Sequence, residues 1–298
     1  MHEFVPHIRA KRFVTASEQR YYGPADNVIL NSYKNPLKPS VSTFLSIEAA
    51  PGLTNWKMVN GRYSNIIGKT AAFVGTITHE CADALNQGKT VTTKSIEALI
   101  LADEWNLWRH EYPYLSMIVK MVRKQLAGYL AFFEEHRPTI YATEMMLWHP
   151  DIPWAGTADL LLGWYSKRQN KEVYMLADLK TGAEQDKHFY QVMAYAVLAE
   201  AIFDIEISML GVLHCTGKWR KKPNFKMKAK EIRNKAGEKN ETGKSLFRKC
   251  QNRYEVWADN LTSEQPAPPP VIPSTFKLNL TPKDHESENQ APFAIKAA

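Results

Sequence analysis

The chain has 298 residues, of which 44% are hydrophobic, and it carries a formal net charge of +7. This length and apolar content allow a sizeable core and indicate an ordinary globular protein of one large domain or two small ones. The sequence contains no apolar run of about eighteen residues, and its N-terminal stretch MHEFVPHIRAKRFV lacks the apolar part of a signal peptide. We therefore expect no membrane partner and a cytoplasmic location.

The three cysteines, Cys81, Cys215 and Cys250, are far apart and odd in number. This pattern fits neither a disulfide framework nor a metal site built on closely spaced cysteines. We interpret them as reduced thiols.

The positive charge is concentrated in residues 218–249, which contain 13 Lys or Arg and 3 acidic residues. The rest of the chain has 25 basic and 28 acidic residues and is slightly acidic. Trp219 and Phe225 lie among the basic residues, and such a segment suits a polyanion whose bases can stack on aromatic rings. The alternative is a solvated basic loop without a partner.

Turn residues are frequent in residues 1–40, which we predict to be an irregular N-terminal extension with short elements. Beyond it, apolar residues recur at helical spacing. The pattern predicts a helix from about residue 40, a second short helix after a Pro-Gly break, and longer helices over 71–86, 94–109 and 115–136. The first half is therefore predicted to be mostly helical.

From residue 139 the pattern becomes that of strands, predicted over 139–149, 155–165 and 172–180, with the last two joined as a hairpin. An apolar helix over 186–203 and a strand over 205–215 follow. Helices before and after a central sheet predict an α/β or α+β core, and we assign it to residues 41–262. The Pro-rich, polar residues 263–298 are predicted to be a disordered or docking tail.

An acid and a base share one face of the third predicted strand. Asp178 and Lys180 are two residues apart, and alternate residues of a strand project to the same side. The hairpin would bring Asp159 close to Asp178, and two neighbouring carboxylates need a compensating cation. Oxygen ligands suit Mg²⁺ or Mn²⁺, which polarise a phosphate and activate a water. Lys180 would then orient or deprotonate the water or stabilise charge on the phosphate; a surface charge pair is the alternative.

On the helix that follows, Gln191 and Tyr195 are four residues apart and therefore lie on one face. A Gln amide can donate a hydrogen bond to a phosphate or a base, and a Tyr ring offers a stacking surface. The alternative is a polar stripe that faces water.

Taken in order, these residues resemble the RecB-like exonuclease branch of the PD-(D/E)XK nuclease superfamily. The matching segments are Gly75-Thr-Ile-Thr-His79, Gly156-Thr-Ala-Asp159, Asp178-Leu-Lys180-Thr-Gly182 and Gln191-x-x-x-Tyr195. Residues 40–56 are also similar to the N-terminal helical segment of phage-type members, so the resemblance covers roughly residues 40–215. It implies a restriction-endonuclease-like core, with a central mixed sheet flanked by helices.

The resemblance also implies roles for individual residues. The implied metal ligands are His79, Asp159, Asp178 and the carbonyl of Leu179. The candidate catalytic residues are Asp159, Asp178, Lys180 and Glu144, the last because many members carry a glutamate at this strand position; an exposed strand acid is the alternative. The candidate nucleic-acid-binding residues are Gln191, Tyr195, Lys221, Lys222, Lys226 and Lys228.

The expected activity is that of a Mg²⁺- or Mn²⁺-dependent DNA exonuclease, which hydrolyses phosphodiester bonds by in-line attack of a water and leaves a 5′-phosphate. Similarity to phage members suggests a role in viral DNA replication, recombination or DNA degradation, in the host cytoplasm. An endonuclease of the same fold and an inactive nucleic-acid-binding module are the alternatives.

Two cofactors are expected to be absent, and one protein partner is expected. The scattered cysteines predict no iron–sulfur cluster, in contrast to some members of the branch. Six residues separate Gly61 from Gly68 where a phosphate loop has four, which predicts no ATP site. The Pro-rich tail is a candidate docking segment for a single-strand annealing or replication protein.

Overall fold

The computed structural model describes residues 9–14, 19–26, 37–46, 51–102, 115–166, 170–234 and 236–264. Most of the predicted tail over 263–298 therefore lies outside the described residues, as do the last residues of the helix predicted over 94–109. Within the described part, no helix combines the length and apolar character needed to cross a bilayer.

The described residues of the first half form a small sheet and five α-helices. The strands are β1 Ala10–Val14, β2 Arg20–Pro24 and β3 Lys38–Pro39, which form an antiparallel sheet in that order. The helices are α1 Val41–Leu45, α2 Pro51–Asn60, α3 Ser64–Asn86, α4 Thr93–Ala102 and α5 Leu115–His136. The described part of the predicted N-terminal extension is thus a three-stranded sheet, and α3 begins seven residues earlier than the helix predicted from residue 71.

The second half forms a five-stranded sheet in chain order. Its strands are β4 Thr139–Leu147, β5 Gly156–Ser166, β6 Lys171–Lys180, β7 Ile207–His214 and β8 Lys226–Glu231. Neighbouring strands are antiparallel except β6 and β7, which are parallel and joined through helix α6, Lys187–Phe203. A parallel pair needs such a crossover connection, whereas antiparallel neighbours need only a turn.

Helices cover both faces of this mixed sheet. Buried residues of α3, α4 and α5 pack on one face, which includes Leu160 and Leu162 of β5. Residues of α1, α6 and the final helix α7, Glu241–Glu264, pack on the other, which includes Leu161 and Leu176. The predicted α/β class, with a central sheet between helices, is confirmed at this level.

The described part of the basic segment 218–249 contains regular elements as well as loops, and it is not a single free loop. It contains β8 and the start of α7, whose buried face carries Leu246, Cys250 and Trp257. Strand β8 pairs with the edge of β7 that β6 leaves free. The exposed lysines of β8 keep its own outer edge in solvent.

The small sheet holds the segment that leads into β5. Ala155 donates a backbone hydrogen bond to Pro39 at 3.0 Å and accepts one from Val41 at 2.9 Å. The buried ammonium of Lys38 donates to three backbone carbonyls of the same segment at 2.5–2.6 Å, those of His149, Pro150 and Ile152. The start of β5, and with it Asp159, is thereby fixed from the N-terminal side.

Candidate active site

Three acidic residues form a row across β4, β5 and β6. Glu144 lies between the pairs Thr143–Leu160 and Met145–Ala158, and therefore opposite Asp159. One position beyond the pair Leu160–Ala177, the register of β5 and β6 places Asp159 opposite Asp178. His79 of α3 approaches this row, with Nδ1 3.6 Å from Asp159 Oδ2 and 3.8 Å from Glu144 Oε1. Helix α3 and the sheet therefore supply one shared site.

Glu144 has an unusual backbone conformation, with φ at 46°. Residues with a side chain seldom adopt this left-handed region, and the conformation costs on the order of 1 kcal/mol. The flanking pairs Thr143–Leu160 and Met145–Ala158 keep the register of the two strands on either side of it. Strain of this kind is often found at functional sites, and the Glu144 carboxylate faces His79.

Asp159 bridges two strands with its side chain. Its Oδ2 accepts a hydrogen bond from the backbone N–H of Leu179 at 2.7 Å, which ties β5 to β6 at the site. Burial raises the pKa of Asp159; His79 and Lys180 oppose this rise, while Glu144 adds to it. A carboxylate in this position is thus poorly solvated and depends on nearby positive charge.

Asp178 and Lys180 form an ion pair beside Asp159. Lys180 Nζ lies 2.6 Å from Asp178 Oδ2, but no residue that the structure describes donates a well-aligned hydrogen bond to this buried oxygen. Burial raises the pKa of Asp178 to about 6, against the opposing effect of Lys180 and with the help of the Asp159 charge. A further cation near these carboxylates would restore their charged forms.

The ammonium group of Lys180 stays protonated in this environment. Burial alone would lower its pKa, but the carboxylates of Asp178 and Asp159 outweigh that effect and raise it. The ammonium group is therefore suited to stabilise negative charge rather than to accept a proton.

His79 is held between carboxylates. Burial alone would lower its pKa, but Asp159 and Glu144, with Asp178 beyond them, raise the pKa to about 9. Without a metal, the imidazole is therefore protonated at neutral pH and provides part of the positive charge of the site. A cation bound here would take over that role.

The side chains fit a divalent cation. His79, Glu144 and Asp159 each offer one ligand atom, and these atoms lie within 4.8 Å of one another. This spacing suits a shared ion with bonds of about 2.0–2.6 Å. Carboxylate oxygens suit Mg²⁺ and Mn²⁺, whereas imidazole suits transition metals, so the mixed set matches Mn²⁺ at least as well as Mg²⁺.

A small cleft with an internal volume of about 10 Å³ opens beside these ligands. Its polar lining includes Asp83, which accepts a hydrogen bond from Thr143 at 2.6 Å, and Asn86, which accepts one from Tyr129 at 2.7 Å. Asp83 was not among the site residues predicted from the sequence. The signal was its spacing of four residues from His79, which puts both on one face of α3.

Gln191 and Tyr195 contact each other on α6, where Gln191 Nε2 donates to the Tyr195 hydroxyl at 3.3 Å. Tyr195 is only 4% exposed, and its ring packs against Gly156. The ring is therefore closed to a stacking base in this structure. The ring lies against Gly156 at the start of β5.

The four candidate lysines of the basic segment are exposed. Lys221 and Lys222 precede β8, and Lys226 and Lys228 lie on it. Lys226 is directly opposite His214, which is opposite Lys180 in the next strand. The sheet thus connects the basic segment to the acidic row.

The structure brings together His79, Glu144 and Asp159 as one candidate ligand set, and it pairs Asp178 with Lys180 instead. Leu179 contributes its N–H to Asp159 and lines the cleft. Comparison of the chain with models of protein families and with curated proteins found no match.

Proposed function

We propose that the chain is a divalent-metal-dependent DNA nuclease with a restriction-endonuclease-like core of the RecB-like branch. One observation carries the proposal: the acidic row of Glu144, Asp159 and Asp178 lies beside Lys180 and under His79. Carboxylates and an imidazole at the cleft, with a charged lysine beside the carboxylates, suit phosphodiester hydrolysis, since that reaction develops negative charge next to a metal.

The residues divide into two functional groups. His79, Glu144 and Asp159 would hold the cation, which polarises the phosphate and lowers the pKa of a bound water. Lys180 would stabilise the charge that develops on the phosphate, because Asp178 keeps its ammonium group protonated and in place. Asp178 thus acts on the reaction through Lys180.

The exonuclease activity with 5′-phosphate products is part of the proposal. Exposed lysines of β8 on the same sheet would contact the DNA backbone outside the cleft. An endonuclease of the same fold would use the same residues, so the two are separated by the choice of substrate.

The test is cleavage of end-labelled linear and circular DNA, single- and double-stranded, with Mg²⁺, with Mn²⁺ and with EDTA. Lys180→Ala should lower the cleavage rate by about 10²-fold or more, because it removes the cation that stabilises the transition state. Lys171→Ala is the matched control: Lys171 lies at the other end of β6 and pairs with Glu206 at 3.5 Å. Lys171→Ala should cleave DNA at the rate of the wild type.

Metal-dependent loss of linear but not circular DNA would support an exonuclease, and cutting of circles would make the protein an endonuclease. Wild-type cleavage rates in Lys180→Ala would refute the site assignment. No cleavage with either metal would refute the nuclease and leave the inactive binding module.

A further inference from the structure

Glu184 is held between two lysines on the basic side of the sheet. It lies in the connection between β6 and α6, and its Oε1 is 2.6 Å from Lys226 Nζ, while Oε2 pairs with Lys228 Nζ. Hydrogen bonds from Lys226 and Lys228 lower the pKa of Glu184 to about 2. One carboxylate thus uses both of its oxygens to occupy two ammonium groups.

The two lysines are close to Lys180 along the sheet. Lys226 is opposite His214, and His214 is opposite Lys180, so all three project from the same face of the sheet. Two strand spacings separate Lys226 from Lys180, which is about 10 Å. Since a stacked strand advances about 3.4 Å per nucleotide, this distance corresponds to about three nucleotides.

We infer that Lys226 and Lys228 form a second phosphate subsite, which the Glu184 carboxylate occupies in the free protein and from which a nucleic-acid backbone displaces it. This inference rests on the proposed function, because it takes the polyanion bound at Lys180 to be nucleic acid. A carboxylate and a phosphodiester both present a pair of oxygens that share negative charge, so the one stands in for the other.

Exchange between the two anions is physically reasonable. All three side chains are substantially exposed, with 60% for Lys226, 43% for Lys228 and 36% for Glu184. An ion pair that water can reach is weak, whereas a nucleic-acid backbone releases counterions when lysines bind it. Glu184 therefore competes with the strand without blocking it.

Lys230 extends the same row of β8, because alternate residues of a strand project to one side. Its Nζ lies 4.2 Å from the centre of the Phe189 ring at the start of α6. The positive surface thus continues past the two lysines that Glu184 covers.

The experiment measures binding of a fluorescent single-stranded DNA oligonucleotide in EDTA, where no cleavage occurs, over a range of salt concentrations. Glu184→Gln keeps the shape of the side chain and removes its charge, so it should bind about threefold to tenfold more tightly at low salt. It should also show a steeper salt dependence, by about 0.7 unit for one additional phosphate bound. In a Lys226→Gln/Lys228→Gln background, the same change should have no effect.

Glu206→Gln is the control for net charge, because Glu206 pairs with Lys171 and lies at the end of the β7–β8 pair opposite to Lys226 and Lys228. An equal increase in affinity in Glu206→Gln, an increase that persists without the two lysines, or unchanged binding by Glu184→Gln would each overturn the subsite. Cleavage by the wild type is scored separately. Tighter binding by Glu184→Gln without cleavage by the wild type would support the subsite and refute the nuclease. Cleavage by the wild type without tighter binding by Glu184→Gln would support the nuclease and refute the subsite.

Discussion

Gly156 is the first residue of β5, three positions before Asp159, and it faces the ring of Tyr195. A Cβ added at Gly156 would lie 2.5 Å from Tyr195 Cε1 and 3.2 Å from its hydroxyl oxygen. The buried tyrosine has little room to move. Gly156→Ala should therefore lower the free energy of unfolding by about 1–3 kcal/mol, as measured by urea denaturation.

Gly182→Ala is the matched control for this change. Gly182 follows Lys180 closely in the chain, but nothing lies within 4 Å of a Cβ added there. Its free energy of unfolding should change by less than about 1 kcal/mol. A Gly156 variant as stable as the wild type would show that Tyr195 does not restrain the start of β5.

At the scale of residues, the sequence predicted the participants of the site better than their contacts. Strand alternation and the hairpin predict that Asp159, Asp178 and Lys180 lie together, and the structure does bring them together. Which of these residues can share a cation and which form an ion pair depends on strand register and backbone conformation. The left-handed φ of Glu144, which turns it towards His79, leaves no trace in the local sequence pattern.

Lys38 belongs to the scale of elements, because it joins β3 to the segment before β5. Its ammonium group is the donor for three backbone carbonyls, and the side chain is 7% exposed. Lys38→Met would leave those carbonyls without this donor, so the free energy of unfolding should fall by about 2–4 kcal/mol in urea denaturation.

Lys11→Met tests whether the loss of stability is specific to that junction. Lys11 lies in β1 of the same small sheet, and its side chain is exposed. This variant should unfold within about 0.5 kcal/mol of the wild type. If both variants unfold alike, the three hydrogen bonds of Lys38 contribute little net stability.

Elements with a clear apolar period were predictable, and elements with a charged sequence were not. The helix predicted over 115–136 is α5, Leu115–His136, and the strands predicted from residues 155 and 172 are β5 and β6. Strand β8 has the sequence KMKAKE, in which polar and apolar residues alternate but none is β-branched or aromatic, so its strand signal is weak. It forms through pairing with β7, a contact that only the assembled sheet provides.

Helix α7 was also missed, although its buried face was visible in principle. Leu246, Cys250 and Trp257 are spaced by four and seven residues, as one face of a helix requires. Basic and polar residues between them obscured the period. Charge composition alone therefore led to an interpretation as a segment that binds a polyanion, with no helix predicted in it.

At the scale of the whole molecule, the net charge of +7 is concentrated where the sheet ends in β8. Replacing Lys221, Lys222, Lys226 and Lys228 by Gln should weaken binding to single-stranded DNA and flatten its salt dependence. The slope should fall by about 0.7 unit for each phosphate that the protein no longer binds. Binding titrations at several salt concentrations measure this slope.

A variant with four other exposed lysines replaced by Gln provides the comparison at equal net charge. The four are Lys11, Lys57, Lys89 and Lys94. The salt-dependence slope of this variant should stay close to that of the wild type. Equal slopes for both variants would mean that the field of the whole protein, rather than this segment, attracts the nucleic acid.

The hydrogen bonds of Lys38 have a consequence for how the protein folds. Lys38 and Ile152 are 114 positions apart in the chain, whereas β4, β5 and β6 pair with strands adjacent in sequence. Contacts between close neighbours form early, and closure of a long loop is slow, although its entropic cost grows only with the logarithm of loop length. We therefore expect the acidic row to assemble from local hairpins first, and the N-terminal sheet to dock last and clamp the start of β5.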